Sequence, residues 1–358
     1  MYLGLGLYKH MITRENFKFA KQTGCTHLIL HLANYYSKEK GVVTATDDKN
    51  NYGESFANES IWLLESLSKL TKMAEEEGLK IYGIENFSPA DWYDVLLDGE
   101  KKHEQMEFLK EIIRNVGRAG IKSFGYNFSL AGVWGHKRLP VARGGAISAC
   151  FDASSLPLES RIPDGEVWNM SYKKGEKGKF IKDIDSDELW SRYEWFLKQI
   201  LPVAQEAGVE LALHPDDPPM SILRKTPRLV YKQDLFDKSL NLVKSPSNKI
   251  DLCMGSIQEM EGSNIYEALD KYSKLDKISY IHFRNVKGKV PYYKEVFVDE
   301  GDIDMFKALR ILKNNNFKGI LIPDHTPELL CESSWHAGMA YALGYMKAAL
   351  QAIEGEKK

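Results

Sequence analysis

Cysteine is scarce in this sequence, and long apolar runs are missing. The 358 residues include only four cysteines, Cys25, Cys150, Cys253 and Cys331, which are too few and too scattered to form a disulfide framework. No apolar run approaches the roughly 20 residues that a transmembrane helix requires. We therefore expect a protein without a membrane span, whose cysteines either pack in the core or take part in chemistry.

The sequence also lacks an excess of charge of one sign. It contains 48 Lys plus Arg and 50 Asp plus Glu, a formal net charge of −2, so it has no basic field that would attract nucleic acid. Residues 1–21 lack a basic region followed by an apolar core, and we expect no signal peptide. The composition predicts a soluble cytoplasmic protein whose partner is neither a nucleic acid nor a membrane.

The chain does contain short apolar runs that alternate with segments of helical periodicity. The predicted strands cover residues 2–7, 27–32, 80–84, 122–126, 210–213, 249–254, 277–283 and 318–322. The predicted helices cover residues 13–23, 54–77, 102–120, 187–208, 232–243, 264–275, 302–315 and 335–354. Strands separated by single helices pair in parallel through right-handed crossovers.

Eight strand–helix units favour an α/β fold of the closed (β/α)8 type, a TIM barrel. An open doubly wound sheet is the alternative. Against it, Gly4 and Gly6 lie inside the first strand and no third glycine completes a dinucleotide-binding motif. The length suits two average domains or one barrel with insertions, and we predict a single TIM-barrel domain over residues 1–358.

Three predicted connections are long for loops: residues 33–53, 86–101 and 127–186. Each follows a predicted strand, so each is expected to cover the C-terminal face of the barrel, where the active sites of this fold lie. The third contains adjacent glycines, prolines and a lysine-rich stretch. It predicts an irregular, partly mobile, lid-like insertion at about 127–186.

Residues able to bind a metal follow the last four predicted strands. His214 follows the fifth strand, Cys253 and His282 lie at the ends of the sixth and seventh, and Asp324 follows the eighth. Taken singly, such residues are more often core or loop residues. Because the strand ends converge at the mouth of a barrel, their joint placement favours a metal site. Nitrogen, sulfur and oxygen together suit Mn, Fe(II), Co or Zn better than Mg.

Other polar residues surround this set in the sequence. Arg284 lies two residues after His282, so both point the same way along the strand, and its guanidinium could clamp a carboxylate. Asn285 either contacts the substrate, faces outward or caps a helix. Tyr126 and Asn127 follow the fourth strand, where a pocket role and plain loop chemistry are both open. The excess of hydrogen-bonding groups favours a small oxygen-rich substrate such as a sugar acid.

The remaining histidines divide into two groups. Four do not fit the metal set and are predicted to be structural or exposed: His10, His27, His103 and His136. His31 and His336 are ambiguous, because each lies close to the predicted barrel mouth. The Asp216-Asp217-Pro sequence could equally be an ordinary turn, since Asp before Pro favours turns.

Seven short motifs occur in order along the chain: Tyr126-Asn-Phe, His214-Pro-Asp-Asp-Pro-Pro, Thr226-Pro-Arg, Cys253-x-Gly-Ser, His282-x-Arg-Asn-Val, Gly301-Asp-x-Asp-Met and Pro323-Asp-His. Together they resemble the mannonate dehydratase family, which belongs to the xylose-isomerase-like TIM barrels. The resemblance covers most of the chain from about Lys80 onward. Its specific motifs are concentrated between His214 and His325.

The resemblance implies a divalent metal ion, Mn²⁺ or Fe²⁺, held by His214, Cys253, His282 and Asp324, the set that the strand ends already indicate. It also implies that His325 is a proton-transfer residue beside the metal. The family's activity is that of a lyase, a hydro-lyase of hexuronate catabolism.

The sequence departs from the family pattern at several places. The family's first strand carries a Phe-Arg-Trp-Tyr-Gly type motif, which residues 3–10 do not have. An Asp-Trp-Thr-Arg-Thr type motif is replaced by the segment containing Trp134 and His136. Ile322 stands where the family has an arginine, and Trp335 where a tyrosine is expected. The predicted metal ligands are kept, whereas residues expected to contact the substrate are changed.

These observations predict a metal-dependent sugar-acid dehydratase that removes water from D-mannonate or a related aldonate to give a 2-keto-3-deoxy acid. His325 is the predicted proton-transfer residue, with Asp217 and Tyr126 as candidate partners. The predicted substrate contacts are Arg284, Asn285, Asn127, Asp216 and Trp134.

Two alternatives stay open at this point. One is a metal-dependent sugar isomerase or epimerase on the same barrel, which would not release water. The other is a catalytically silent sugar-binding protein. A homo-oligomer is compatible with either prediction.

Overall fold

A computed structural model describes residues 1–35, 52–55 and 59–356. Eight parallel strands in this part of the chain form a closed barrel: β1 (Tyr2–Tyr8), β2 (His27–His31), β3 (Lys80–Glu85), β4 (Ser123–Tyr126), β5 (Glu210–Leu213), β6 (Asn248–Cys253), β7 (Ile278–His282) and β8 (Ile320–Ile322). Each strand pairs with its neighbour in sequence, and β8 pairs with β1. The predicted TIM barrel is confirmed.

The described residues include ten α-helices: α1 (Arg14–Gln22), α2 (Leu64–Glu76), α3 (Pro89–Leu97), α4 (Lys102–Arg118), α5 (Ser186–Ala207), α6 (Leu235–Leu242), α7 (Met254–Glu259), α8 (Ile265–Lys274), α9 (Met305–Asn314) and α10 (Ser334–Gly355). Polar side chains cap several N-termini, as Thr13 does for α1 and Asp304 for α9. Gly208 ends α5 at a φ of 69°, a left-handed conformation that glycine adopts readily. Seven of the eight predicted helices therefore form close to their expected bounds. The second, predicted over residues 54–77, begins only at Leu64, because Tyr52–Glu54 form a strand and Glu59–Trp62 a separate 3-10 helix.

Alternation along the strands sorts the side chains into two layers. A small apolar cluster contributed by β2, β5, β7 and β8 fills the inside of the barrel: Ile29, Ala212, Tyr280, Ile320 and Ile322. Residues that point the other way form the main core between strands and helices. The inward positions continue above the cluster at the C-terminal ends of the strands. There the pairing of Cys253 with His282 places two candidate ligands side by side.

The predicted connections turn out to contain regular structure. Segment 86–101 contains α3, which begins at Pro89, a residue suited to the first turn of a helix. Trp92, Val95 and Leu96 bury its apolar side, so the prediction of a long loop there was wrong. Residues 36–51 of the first predicted loop and residues 56–58 of the second predicted helix lie outside the described residues.

Segment 127–186 contains more regular structure than its composition predicted. Its strands His136–Leu139 and Ser148–Asp152 join a hairpin that follows β7, made of Asn285–Lys289 and Tyr292–Val296. The four strands form one antiparallel sheet, which we call the cover sheet. Shorter strands pair elsewhere: Tyr52–Glu54 with Met170–Ser171, Glu166–Val167 with Met170–Ser171, and Ile222–Leu223 with Thr226–Pro227.

In the part of the chain that the structure describes, none of the helices combines the length and the apolar character needed to cross a bilayer.

Candidate active site

Three of the four predicted metal ligands present donor atoms to one another. One ring nitrogen each of His214 and His282 and the sulfur of Cys253 all lie within 4.8 Å of one another. The fourth, Asp324, places Oδ2 at 3.4 Å from Nδ1 of His282. Its backbone φ is 63°, which is uncommon for a residue with a side chain and recurs at functional sites. The structure thus brings the four residues together at the ends of β5 to β8.

Both imidazoles are held in defined orientations. Nδ1 of His214 lies 2.6 Å from the carbonyl oxygen of Pro215, which can only accept, so Nδ1 carries a proton and Nε2 is the ring nitrogen that a metal ion could occupy. Nε2 of His282 lies 3.2 Å from Glu85, while its buried Nδ1 has no hydrogen-bond partner among the described residues. Carboxylate or carbonyl partners of this kind orient histidines that ligate metals.

The Cys253 sulfur is suited to be a thiolate. Burial raises the pKa of this thiol, but the Arg284 guanidinium and the two imidazoles outweigh burial and hold the pKa well below its usual range. Nη2 of Arg284 lies 3.2 Å from the sulfur. A thiolate, two oriented imidazoles and a carboxylate form a donor set that fits a borderline divalent ion such as Mn²⁺ or Fe²⁺.

Two further carboxylates lie beneath this group: Glu85, whose position after the third strand left a pocket role and plain loop chemistry both open, and Asp251, which the sequence analysis missed. Glu85 Oε2 accepts hydrogen bonds from the Tyr280 hydroxyl at 3.1 Å and from His282. Asp251 is fully buried, with Oδ2 at 3.5 Å from Nε2 of His282. Burial raises the pKa of Asp251 to about 8, with the charge of Glu85 adding to burial and that of His282 opposing it. The signal available in the sequence was strand alternation, since Asp251 precedes Cys253 by two residues.

Arg284 lies behind the candidate ligands and is already surrounded by protein anions. The guanidinium contacts Glu295, lies 2.8 Å from Asp217, and lies 3.6 Å and 3.4 Å from Glu259 and Asp324. The residue is only 2% exposed and is not among those that line the cavity. The predicted clamp on a substrate carboxylate is therefore not supported, because these donors hold the protein's own carboxylates.

Asp217 lies at the edge of the cavity, and its carboxylate, like the Arg284 guanidinium, is already bound by other protein groups. Its carboxylate accepts hydrogen bonds from the Tyr293 hydroxyl at 2.8 Å, from Arg284 at 2.8 Å and from the Ser256 hydroxyl at 3.2 Å. Burial raises the pKa of Asp217, but the charges of Arg284 and His136 outweigh burial and hold it well below its ordinary range. Such a carboxylate is a weak base, so its position favours holding Arg284 over transferring a proton.

His325 lines the cavity beside the candidate metal group. Its Nδ1 lies 3.2 Å from Glu295 and its Nε2 lies 3.4 Å from the second oxygen of Asp324. Burial lowers the pKa of this imidazole, yet the two carboxylates outweigh burial and raise the pKa to about 9. A doubly protonated ring at neutral pH can donate a proton.

A cavity lies over these groups. Its volume is about 730 Å³, which includes the part that is open to solvent. One wall is aromatic and consists of Tyr8, Tyr35 and Trp168. Asn127 also lines the cavity and accepts a hydrogen bond from the Trp168 ring nitrogen at 3.1 Å. The predicted position of Asn127 at the substrate is compatible with this placement.

Tyr126 and Asn285 do not reach the cavity. Tyr126 points outward from β4, and its hydroxyl lies 3.0 Å from that of Tyr193 in the helical layer. The amide of Asn285 donates to the carbonyls of Val298 and Ile303, so it ties down a loop. The position of Tyr126 gives no support to a catalytic role, because strand alternation turns it away from the barrel interior.

Asp216 and Trp134 also lie outside the cavity lining. Asp216 is buried, with Oδ1 at 2.7 Å from Arg228 and Oδ2 accepting from the Val230 amide at 2.7 Å. Trp134 lies under the guanidinium of Arg224, which is 5.6 Å from the ring centre. The predicted substrate contacts of both residues are therefore unsupported, since protein groups occupy them.

The cover sheet brings residues to the cavity that the sequence analysis placed elsewhere. His136, predicted to be structural or exposed, is buried and lines the cavity, with Nε2 at 2.6 Å from the Tyr293 hydroxyl and 3.2 Å from Asp217. Glu295 comes from the same sheet. Of the two ambiguous histidines, His31 lines the cavity, whereas His336 is hydrogen-bonded to Asn16.

The chain as a whole is similar to a known protein family. A family model described as D-mannonate dehydratase (UxuA) matches residues 30–358. The mannonate dehydratase of Streptococcus pneumoniae (strain 70585) is 33% identical over 299 residues, covering 80% of this chain and 78% of that protein. The mannonate dehydratase of Lactococcus lactis subsp. cremoris (strain MG1363) is 30% identical over 322 residues, covering 83% and 89%.

Solved structures give a consistent result for the fold. The crystal structure of mannonate dehydratase from Streptococcus suis serotype 2 superposes with a TM-score of 0.77 at 25% identity, covering 100% of this chain and 97% of that one. An L-ribulose 3-epimerase superposes with a TM-score of 0.57 at 13% identity, covering 99% and 95%. At that identity the second likeness concerns the fold alone.

Proposed function

The chain belongs to the mannonate dehydratase family of lyases, and on this premise we propose that it removes water from D-mannonate or a related aldonate to give a 2-keto-3-deoxy acid. We propose further that the reaction uses one divalent ion, Mn²⁺ or Fe²⁺. The observation that carries the proposal is the convergence of His214, Cys253 and His282, with Asp324 beside them, next to the cavity that His214, His282 and Asp324 line.

The ion would be held by these four side chains. When bound, it would supply Lewis acidity that draws electrons from the substrate carboxylate and so makes the neighbouring C–H bond acidic. Arg284 keeps Cys253 ionised and neutralises Asp217 and Glu295, which would otherwise repel an acidic substrate. The protein thus places a buried guanidinium behind the candidate ligands and does not need a basic surface.

His325 is suited to donate a proton to the hydroxyl that leaves. Both of its ring nitrogens face carboxylates, which favours the doubly protonated ring. Asp217 serves in this proposal to hold Arg284 and His136. Asn127 and the aromatic wall offer hydrogen bonding and apolar contact to the carbon chain of a sugar acid.

The experiment is a panel of aldonates incubated with protein reconstituted with Mn²⁺ or Fe²⁺. The proposal predicts a product lighter than its substrate by one water, with the carbonyl chemistry of a 2-keto-3-deoxy acid. A product of unchanged mass would support an isomerase or epimerase instead. Uptake of ligand without turnover would support a silent binding protein.

Two further predictions concern the domain organisation and the cellular location of the protein. We propose one barrel domain over residues 1–358, with segment 127–186 as its cover, and a cytoplasmic location. Size-exclusion chromatography with light scattering would decide whether the chain forms a homo-oligomer.

A further inference from the structure

We propose that Trp168 is a specificity-determining residue, whose indole limits the size of the substrate at the end away from its carboxylate. The inference rests on the proposed dehydration of an aldonate and names the part of the substrate that the protein selects. An aldonate with an unsubstituted distal end fits the cavity, whereas a bulky group at that end is excluded.

Trp168 lies at the tip of a hairpin in segment 127–186. The strands Glu166–Val167 and Met170–Ser171 pair antiparallel and leave Trp168 and Asn169 as the two turn residues. Both have a positive φ, 54° and 57°, as the tight two-residue turn of a β-hairpin requires. A positive φ is rare for a bulky residue and recurs at functional sites. The turn therefore holds an indole where glycine or asparagine would adopt the backbone conformation more easily.

Contacts with the loop after β4 fix the indole in place. The Trp168 backbone amide donates to the Leu130 carbonyl at 2.7 Å, and its ring nitrogen donates to Asn127 at 3.1 Å. Gly132 lies so close that a Cβ added there would be 2.8 Å from the Trp168 backbone. Trp168 is only 8% exposed and lines the cavity. Its indole is therefore a fixed wall of the cavity.

Trp168 lies on the side of the barrel mouth opposite the candidate metal ligands. Those ligands lie at the ends of β5 to β8, whereas Trp168 contacts Asn127 after β4 and Tyr35 after β2, with 5.7 Å between the ring centres of Tyr35 and Trp168. In the closed ring of eight strands β2 lies opposite β6, which ends at Cys253. A substrate whose carboxylate lies at the ligands therefore extends its carbon chain toward Trp168.

The chemistry of the indole suits this position. Its flat face can pack against the C–H groups of a carbon chain. An aromatic side chain has only two torsion angles, so it cannot fold aside as a long flexible side chain can. For a bulky group to enter, the indole would have to leave its place and give up its hydrogen bond to Asn127. The wall therefore selects substrates by the size of their distal end.

The test compares Trp168→Gly with Asn169→Gly in Mn²⁺-loaded protein. Glycine suits the positive φ of both turn residues, so each variant keeps the turn, but only Trp168→Gly removes the indole. The Asn169 side chain donates to the Val133 carbonyl and is not among those that line the cavity. The kcat/KM would be measured for D-mannonate and for its 6-O-benzyl ether, whose phenyl ring is smaller than the indole that is removed.

Wild-type protein should prefer D-mannonate over the ether by about 100-fold or more in kcat/KM. In Trp168→Gly this preference should fall at least about tenfold, because the ether gains a place for its ring while D-mannonate loses a contact. Asn169→Gly should keep the wild-type preference. A smaller fall in Trp168→Gly, or a wild-type protein that accepts both compounds equally, would overturn the proposal.

A binding measurement separates the wall from the proposed function. If the wild-type protein dehydrates no aldonate, that function fails, and calorimetric titration of the three Mn²⁺-loaded proteins decides the role of Trp168. The probes are D-mannonate, D-mannose and D-fructose, each with and without a 6-O-benzyl group. Tighter binding of an ether by Trp168→Gly alone supports the wall, and any other result, including no binding, refutes it. Trp168→Asn, which also tolerates a positive φ, replaces Trp168→Gly if that variant does not fold.

Discussion

Oε2 of Glu85 lies 3.2 Å from Nε2 of His282, on the side of the ring away from Asp324. One buried carboxylate therefore orients a candidate metal ligand so that Nδ1 faces the other donors. The same oxygen lies 3.9 Å from Nε2 of His31, which also lines the cavity.

The first prediction concerns this carboxylate. Glu85→Gln keeps the size of the side chain but removes the charge that holds His282 and stabilises its tautomer. We expect the affinity for Mn²⁺ to fall about 10- to 100-fold, measured by competition with a chelating dye. Glu210→Gln is the matched control, because Glu210 accepts a hydrogen bond from Ser279 at the first residue of β5. Equal affinities in the two variants would show that Glu85 does not orient the ligand.

The second prediction concerns the charge network around Arg284. Arg284→Met leaves Asp217 and Glu295 buried without their counter-charge, and removing one partner of a buried ion pair costs about 3–5 kcal/mol of unfolding free energy. Urea denaturation of metal-free protein would measure this loss. Arg310→Met, which removes an exposed contact with Glu356, should unfold at the wild-type urea concentration. If both variants unfold alike, Arg284 does not hold the network together.

The third prediction follows the protonation of His325. In metal-free protein its pKa is raised to about 9 by Asp324 and Glu295, which outweigh burial. The proton donor is therefore present below pH 9 and is lost as the pH rises through that value. Because a bound ion would neutralise part of the Asp324 charge, the pKa should be lower in Zn²⁺-loaded protein. NMR titration of His325 would measure both values, and a pKa at or below 6.5 in the metal-free protein would contradict this assignment.

The fourth prediction separates the cysteines by environment. Cys331 is exposed, whereas Cys25 is buried. Burial raises the pKa of Cys25 to about 12, with the Thr23 hydroxyl and Lys347 opposing the rise. At pH 9 a thiol-specific reagent should modify Cys331 rapidly and leave Cys25 unmodified, because the thiolate is the reactive species. Peptide mass mapping would identify the sites, and rapid labelling of Cys25 would show that it is accessible.

Much of the fold could be predicted because it depends on local pattern. The strands and helices follow hydrophobic periodicity, and the positions of His214, Cys253 and Asp324 follow from the convergence of strand ends in a barrel. The predicted order of elements is enough to place these side chains on one face. No tertiary distance was needed for that inference.

The features that the sequence did not predict, such as the partners of Arg284 and the burial of His136, depend on contacts between segments that are distant in the sequence. Arg284 was predicted to face the cavity, but it forms ion pairs with Glu295 and Asp217 instead. Glu295 lies in the cover sheet, which forms only when the hairpin after β7 pairs with Ser148–Asp152. Asp251 could have been noticed from alternation with Cys253. His136 could not, since its burial depends entirely on the cover sheet.

The central claim is a metal site that includes the sulfur of Cys253, and Co²⁺ tests it most directly. Metal-free wild-type protein titrated with Co²⁺ should bind one ion per chain and develop the near-ultraviolet absorption band of a thiolate bound to cobalt. Cys253→Ala should lack the band, and Cys25→Ala, a second buried cysteine outside the cavity, should keep it. An unchanged band in Cys253→Ala, or no cobalt binding by the wild-type protein, would contradict the account.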